Sequence, residues 1–377
     1  MTINQGLRAL MLAAGGALAI NPVVAAPEKV SVAIISFSPY GAWYIVKKKS
    51  LAKDVDLDIQ IIEGISEKNA AIVSGQMQCI NNTMDTLVLS RAGDLPLKVV
   101  AFSNMSYGLD KMVVASEINS VADFKGKKYG ADYGFLNHMW MLLTLRRSGM
   151  KLDDAIHVTM LPQESAAAFA SGGIDIDVNY DPFAAQSLQR AGSKVLQSSL
   201  TDRTWERGLI SDVIACGENW LKEKPAVAKE LLRAWFEAVN WWKENPEEGN
   251  AIIAEGLGWP LADVKLTQNG AIQLNLSQNM GAFGIGGKPL CESLPEGAPP
   301  PPAGSKGWGS LFNGADCVAG YAAATWDMFN EVYLQAGVAP KKVPAAEGLD
   351  SSIVQSLADE GYAGKFSSNK WIGRLGL

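Results

Sequence analysis

The chain of 377 residues carries 33 Lys and Arg against 39 Asp and Glu, a net charge of −6, and 48% of its residues are hydrophobic. An acidic balance excludes nucleic acid and anionic membrane surfaces as expected partners. The length suits two domains with real cores, and beyond the first segment no apolar run long enough to span a bilayer is free of Gly, Pro or charge.

Residues 1–26 read as a secretory signal: Arg8 comes first, then an apolar stretch from 9 to 20, then Val24-Ala25-Ala26 before Pro27. Cleavage is expected after Ala26, and the alternative is a short buried helix. The apolar run 29–37 reads as a strand. Ser38-Pro39-Tyr40-Gly41-Ala42-Trp43-Tyr44 follows as a turn that opens a helix at Tyr40, because Pro39 presets a helical φ and lacks only a donor that a helix start leaves unpaired. Gly41 lets another group approach the backbone closely. Three rings at a strand-to-helix turn make a candidate ligand platform, since open α/β sheets bind ligands beyond the carboxyl ends of their strands.

The helix is expected over 40–49, a strand over 57–63 from its period-2 alternation, a helix over 66–74 capped by Ser66, a strand over 78–81, a helix over 83–91 and a strand over 98–104. These make one lobe. A strand-like run over 111–115 and a capped turn over 120–128 lead into a strand over 128–131. Helices over 137–148, 164–171 and 181–190 then alternate with strands over 157–161, 174–179 and 194–197, a second lobe of similar design. Residues 211–216 read as a strand returning to the first lobe. Such alternation is the pattern of βα units and a largely parallel sheet.

The remainder changes character. A long amphipathic helix is expected over 225–245, carrying Trp235, Trp241 and Trp242, with further helices over 247–255, 261–269 and 322–336. Residues 281–309, with Pro299 to Pro302 inside, read as irregular, and the tail as partly helical. The expected limits are a signal over 1–26, a first lobe over 27–110, a second over 111–210, and a return over 211–377 that carries an insertion near 280–320. That insertion reads as a solvated loop. The chain crosses between lobes near 107–113 and 202–212.

Four cysteines lie in a compartment where disulfides form, and four thiols allow three connectivities. Cys291 and Cys317 bracket a Gly/Pro-rich segment, so a bridge closing that loop is favoured. Cys79 and Cys216 sit in strand-like apolar contexts as buried thiols or a second pair. Neither arrangement suggests a zinc site.

Several stretches together resemble the periplasmic solute-binding proteins of ABC importers, in the nitrate, sulfonate, taurine and thiamine-precursor branch. Residues 38–44 resemble the first-strand motif of that branch. Ala122-Asp123-Phe124-Lys125-Gly126-Lys127-Lys128 resembles its element opening the second lobe, and Ser171-Gly172-Gly173-Ile174-Asp175-Ile176-Asp177 its G-x-x-D-A strand, with Ile176 where Ala is usual. The resemblance covers about residues 28–260. It implies an α/β fold of two lobes, each a mainly parallel sheet flanked by helices, joined by two crossover strands. It also implies a periplasmic monomer that closes by a hinge around a small solute and meets an ABC permease in the inner membrane.

In such a fold the ligand lies between the lobes, at strand-to-helix turns. The candidate ligand-binding residues are Tyr40, Trp43, Tyr44 and Asp85 from the first lobe, Asp110 at the first crossing, and Tyr133, His138 and Asp181 from the second. An anion site would want Arg, Lys or a Ser/Thr/Gly-rich helix start. These turns instead offer Asp85, Asp110, Asp132, Asp181 and Asp212 beside Trp43, Tyr44, Tyr107, Tyr133, Trp140 and Tyr180. Carboxylates with aromatic walls suit a cation or nitrogen-rich donor such as guanidine, an amine, a urea-like molecule or an aminopyrimidine. The alternatives are nitrate, taurine or an alkanesulfonate as solute, or an exported hydrolase using a carboxylate pair. No cofactor is expected, and with His138 and His157 as the two imidazoles neither a metal site nor a histidine-based catalytic motif is expected.

Overall fold

The computed structural model describes residues 26–373, so the expected signal segment lies almost wholly outside the described residues. Two sheets organise the chain. The first has the order β11-β4-β10-β3-β1-β2, formed by β1 (Glu28–Ile34), β2 (Val55–Ile61), β3 (Cys79–Thr83), β4 (Leu97–Ser106), β10 (Ser211–Gly217) and β11 (Ala271–Gln273). The second has the order β7-β6-β8-β5-β9, from β5 (Asp110–Val114), β6 (Lys128–Ala131), β7 (Ile156–Thr159), β8 (Ile176–Tyr180) and β9 (Lys194–Ser198). This is the two-lobed α/β architecture, with the chain passing between sheets at β4 to β5 and again at β9 to β10.

Most strands in each sheet share one direction, as βα connections require, but the strands that enter from a crossing are reversed. β10 lies antiparallel between β3 and β4, and β5 lies antiparallel between β8 and β9. The reversal matters for the site. It places the start of each crossing strand, Asp212 and Asp110, level with the carboxyl ends of its neighbours.

Two local expectations change. The turn after β1 forms a 3-10 turn over Ser38–Tyr40 before the helix Ala42–Lys48, and a Cβ on Gly41 would lie 2.5 Å from the Ile253 side chain. The group that approaches Gly41 closely is therefore core, not ligand. The next helix starts at Ile65 with Gly64 at its N-cap, and Ser66 does not cap it.

Cys79 and Cys216 are register partners on β3 and β10 and form a disulfide across 4.0 Å between Cα atoms. Cys291 and Cys317 form the second, closing the proline-rich segment as its composition suggests. That segment is not a solvated loop. Trp308 is fully buried with the Arg147 guanidinium 3.6 Å from its ring centroid, Arg207 covers Phe312 at 4.5 Å, and the Tyr107 hydroxyl donates to the Pro299 carbonyl at 2.5 Å. Tyr107 and Arg207 belong to the two crossings, so the insertion packs on the hinge. The helix Tyr321–Gln335 that follows packs against both Met84–Ala92 of the first lobe and Leu136–Arg147 of the second.

Candidate functional site

The carboxyl ends of β1, β3, β4 and β8 converge on a narrow, partly open cavity of ≈ 20 Å³ between the two sheets. The first sheet contributes Phe37, Tyr40, Thr83, Asn104 and Asp212, and the second Asp110, Phe135 and Tyr180. The lining residues end or follow their strands, or open the reversed ones, at the end of the sheets where open α/β folds present ligands.

Two carboxylates line the cavity, and no Lys or Arg does so among the described residues. The Tyr40 hydroxyl donates to Asp212 Oδ1 at 2.9 Å. Burial raises the Asp212 carboxyl to about 8, with Asp110 and Asp85 adding like-charge repulsion and the Tyr40 and Asn104 hydrogen bonds opposing. Burial raises Asp110 to about 7, against a hydrogen bond from Ser106 and the nearby Lys111 charge. Asp85 sits behind the cavity wall, fully buried and raised by burial to about 6, where its Oδ2 accepts from the Tyr333 hydroxyl at 2.7 Å and Thr83 and the Thr86 backbone also hydrogen-bond its carboxylate. Asn104 Oδ1, on the cavity wall, is buried and unpartnered. That acceptor suits a guest that donates a hydrogen bond, and the two lining acids, when ionised, suit one that carries positive charge.

Lys68 is the counterweight. It is fully buried, its Nζ lacks a partner, and burial lowers it to about 8 against the fields of Glu63 and Asp212.

Of the expected ligand residues, Tyr40 and Asp110 line this cavity and Asp85 lies behind it. The others are placed elsewhere. Trp43 is fully buried, donates its Nε1–H to Asn81 Oδ1 at 2.7 Å and packs on Trp235 with centroids 4.6 Å apart, so it belongs to the first lobe's core. Tyr44 packs over Gly256 on the outer side of the same helix. Asp181 is buried in an ion pair with Lys111. His138 takes the Gly134 N–H on Nδ1 at 3.3 Å and stacks on His157 at 4.2 Å, in a column of rings with Tyr129 and a half-exposed Tyr133 that lines a separate depression. Burial and the His157 ring hold His138 near 3, so it is neutral. Tyr107 and Trp140, also expected beside the acidic turns, lie in the shared core.

Sequence reading passed over Phe37, Asn104 and Ser106, whereas Thr83 belongs to the turn 81–85 that it marked as a candidate. The available signal was a polar Asn and Ser closing the otherwise apolar β4, at the end where ligands sit. Among the described residues no group of His, Cys, Asp and Glu could hold a metal ion, and no helix is long and apolar enough to cross a membrane.

A family model described as NMT1/THI5 like matches residues 40–249. A protein of Brucella abortus (strain 2308), named as a candidate binding protein, is 30% identical over 160 residues, which is 42% of this chain and 50% of that one. A protein of Escherichia coli (strain K12), named as a candidate aliphatic sulfonates-binding protein, is 27% identical over 151 residues, 38% of this chain and 44% of that one. The chain thus spans about half the length of these curated relatives. The crystal structure of the periplasmic nitrate-binding protein from Synechocystis PCC 6803 superposes with a TM-score of 0.62 at 14% identity, covering 92% of this chain and 93% of that one, a likeness of fold.

Proposed function

The chain belongs to the NMT1/THI5-like family, whose model covers more than half of it, and from that premise we propose that it is the periplasmic solute-binding component of an ABC importer. The solute in this proposal is a small nitrogen-rich or cationic molecule, held between the lobes and delivered to a permease of the inner membrane. The observation that carries the solute class is the pair Asp110 and Asp212 on the cavity wall with Tyr40, Phe37 and Tyr180, and no Lys or Arg among the lining side chains of the described residues. A cation there would keep both carboxylates ionised and add contact with ring faces.

A second reading, an oxyanion such as an alkanesulfonate or nitrate, has two supports: the name of the Escherichia coli relative and the buried, unpartnered Lys68 ammonium. Of the two, the sequence relationship favours the oxyanion and the cavity wall favours the cation. The hydrolase alternative has only the carboxylate pair behind it.

A thermal-shift panel separates these readings, because a ligand that binds only the folded chain raises its melting temperature by mass action. Guanidinium, an organic amine, urea or an aminopyrimidine is expected to raise it, and taurine, alkanesulfonates and nitrate to leave it unchanged. Stabilisation by the sulfonates or nitrate alone would overturn the cationic reading and leave the transport role standing.

A further inference from the structure

The cavity does not end at its aromatic wall. Ile35, Phe135 and Tyr180 line both it and a vestibule of ≈ 580 Å³ beyond them. The inner space, at ≈ 20 Å³, holds about one water-sized group, the size of an ammonium head, and no more unless the lining side chains give. An organic solute gripped by Asp110 and Asp212 must therefore keep its remaining atoms in the vestibule.

The route between the two spaces is lined by rings in edge contact. Tyr40 meets Phe37 with centroids 5.1 Å apart, Phe37 meets Tyr180 at 5.4 Å, and Tyr180 meets Phe183 at 5.5 Å. Phe183 and Trp259 form walls of the vestibule together with Ile65, Leu161 and Pro162. Trp259 is fixed in place, its Nε1–H donating to Ser36 Oγ at 2.9 Å, and the Ser36 N–H in turn donates to Glu63 at 2.9 Å. The charged groups lining the vestibule are Glu63 and Asp132, both acidic. An elongated anion would meet this rim with like charge, whereas a cation's apolar body would meet rings.

Building on the cationic reading above, we propose that the solute is an organic cation with a compact nitrogen head in the inner cavity and an apolar or aromatic body in the vestibule, and that Phe183 and Trp259 set its specificity. The head supplies charge complementarity to Asp110 and Asp212. The body supplies most of the discrimination, since apolar contact in a preformed pocket distinguishes ligands by their size.

The test is isothermal titration of the purified protein with two matched pairs: ethylammonium against 2-phenylethylammonium, and guanidinium against 2-phenylethylguanidinium. The aryl member of each pair is expected to bind at least about tenfold more tightly. Trp259→Ala and Phe183→Ala should each narrow that ratio while leaving the head-only affinity within about twofold, which also reports that the variants are folded. Equal affinity within both pairs would overturn the two-chamber proposal and leave the cationic reading intact. Failure of all four to bind, with an alkanesulfonate binding instead, would overturn the cationic reading and this proposal together.

Discussion

Asp212 concentrates the chemistry of the cleft in one side chain. It is buried, receives one strong hydrogen bond from Tyr40, and is held near 8 by burial and by its acidic neighbours Asp110 and Asp85. All three acids have folded values above those of an unfolded chain, so the folded state binds more protons than the unfolded one at intermediate pH. The stability they lend is present in full below about pH 4 and is lost as pH rises through about 6 to 8. The melting temperature of the ligand-free protein should therefore fall as pH rises from 5 to 9, and Asp212→Asn should flatten that fall and raise the melting temperature at pH 8 to 9. Lys68, lowered by burial to about 8, acts with the opposite sign: the cost of its buried ammonium is relieved as pH rises through about 8, which offsets part of the fall at the alkaline end. The same substitution should weaken a cationic ligand by about tenfold or more, the scale of a lost charge-assisted contact of about 1.5–3 kcal/mol. A ligand-free melting temperature that rises from pH 5 to 9 would refute the assignment of these acids.

At the scale of elements, the segment 290–318 changes from an appendage to a part of the hinge. Its anchor is Trp308, fully buried beneath Arg147, and its ends are tied by Cys291–Cys317. Trp308→Ala should destabilise the protein by about 3–5 kcal/mol, as for other buried Trp truncations, measured by urea unfolding. A solvated loop would give about 0.5 kcal/mol or less. This segment was opaque in the sequence because its packed apolar residues, among them Leu290, Trp308 and Phe312, are scattered among Gly and Pro with no helical or strand period to reveal them. The regular elements were legible for the opposite reason: β6 spans the residues expected after the capped turn, 128–131, and the βα alternation follows the β-branched stretches. β11 was not, since three residues, Ala271–Gln273, gain strand character only by pairing with β4, where they form the edge of the sheet. Among site residues, Tyr40 was readable from its turn. Trp43 was misplaced because the 3-10 turn and Gly41 rotate the following helix so that its indole reaches Asn81 and Trp235 instead of the cleft. Asp212 was undervalued because a strand start is not where a parallel sheet presents ligands, and only the reversal of β10 puts it there.

Across the whole molecule, the two sheets do not have two independent cores. One continuous apolar cluster joins Phe102 and Met105 of β4 to Met112 and Val114 of β5, and takes in Trp140, Trp205, Phe329 and Tyr333. A second cluster belongs to the first lobe, whereas the cluster private to the second lobe is centred on just Val113, Phe169, Ile174 and Ala184. The second lobe therefore depends on apolar contacts shared with the hinge and the helix Tyr321–Gln335, and it should not survive the loss of the first. This predicts one cooperative thermal transition in the ligand-free protein, with calorimetric and van't Hoff enthalpies in agreement. It also constrains how the cleft opens. Under the proposed function, with the lobes fused through this cluster, opening is a hinge motion that parts Asp110, Phe135 and Tyr180 from Tyr40, Asn104 and Asp212, and a bound solute, touching both sides, favours the closed state. Saturating ligand at about 100 times its Kd should then raise the stability by about 2.7 kcal/mol and move the single transition as a whole. Two resolved calorimetric peaks, of which ligand shifts only one, would show lobes that fold separately and would refute the shared core.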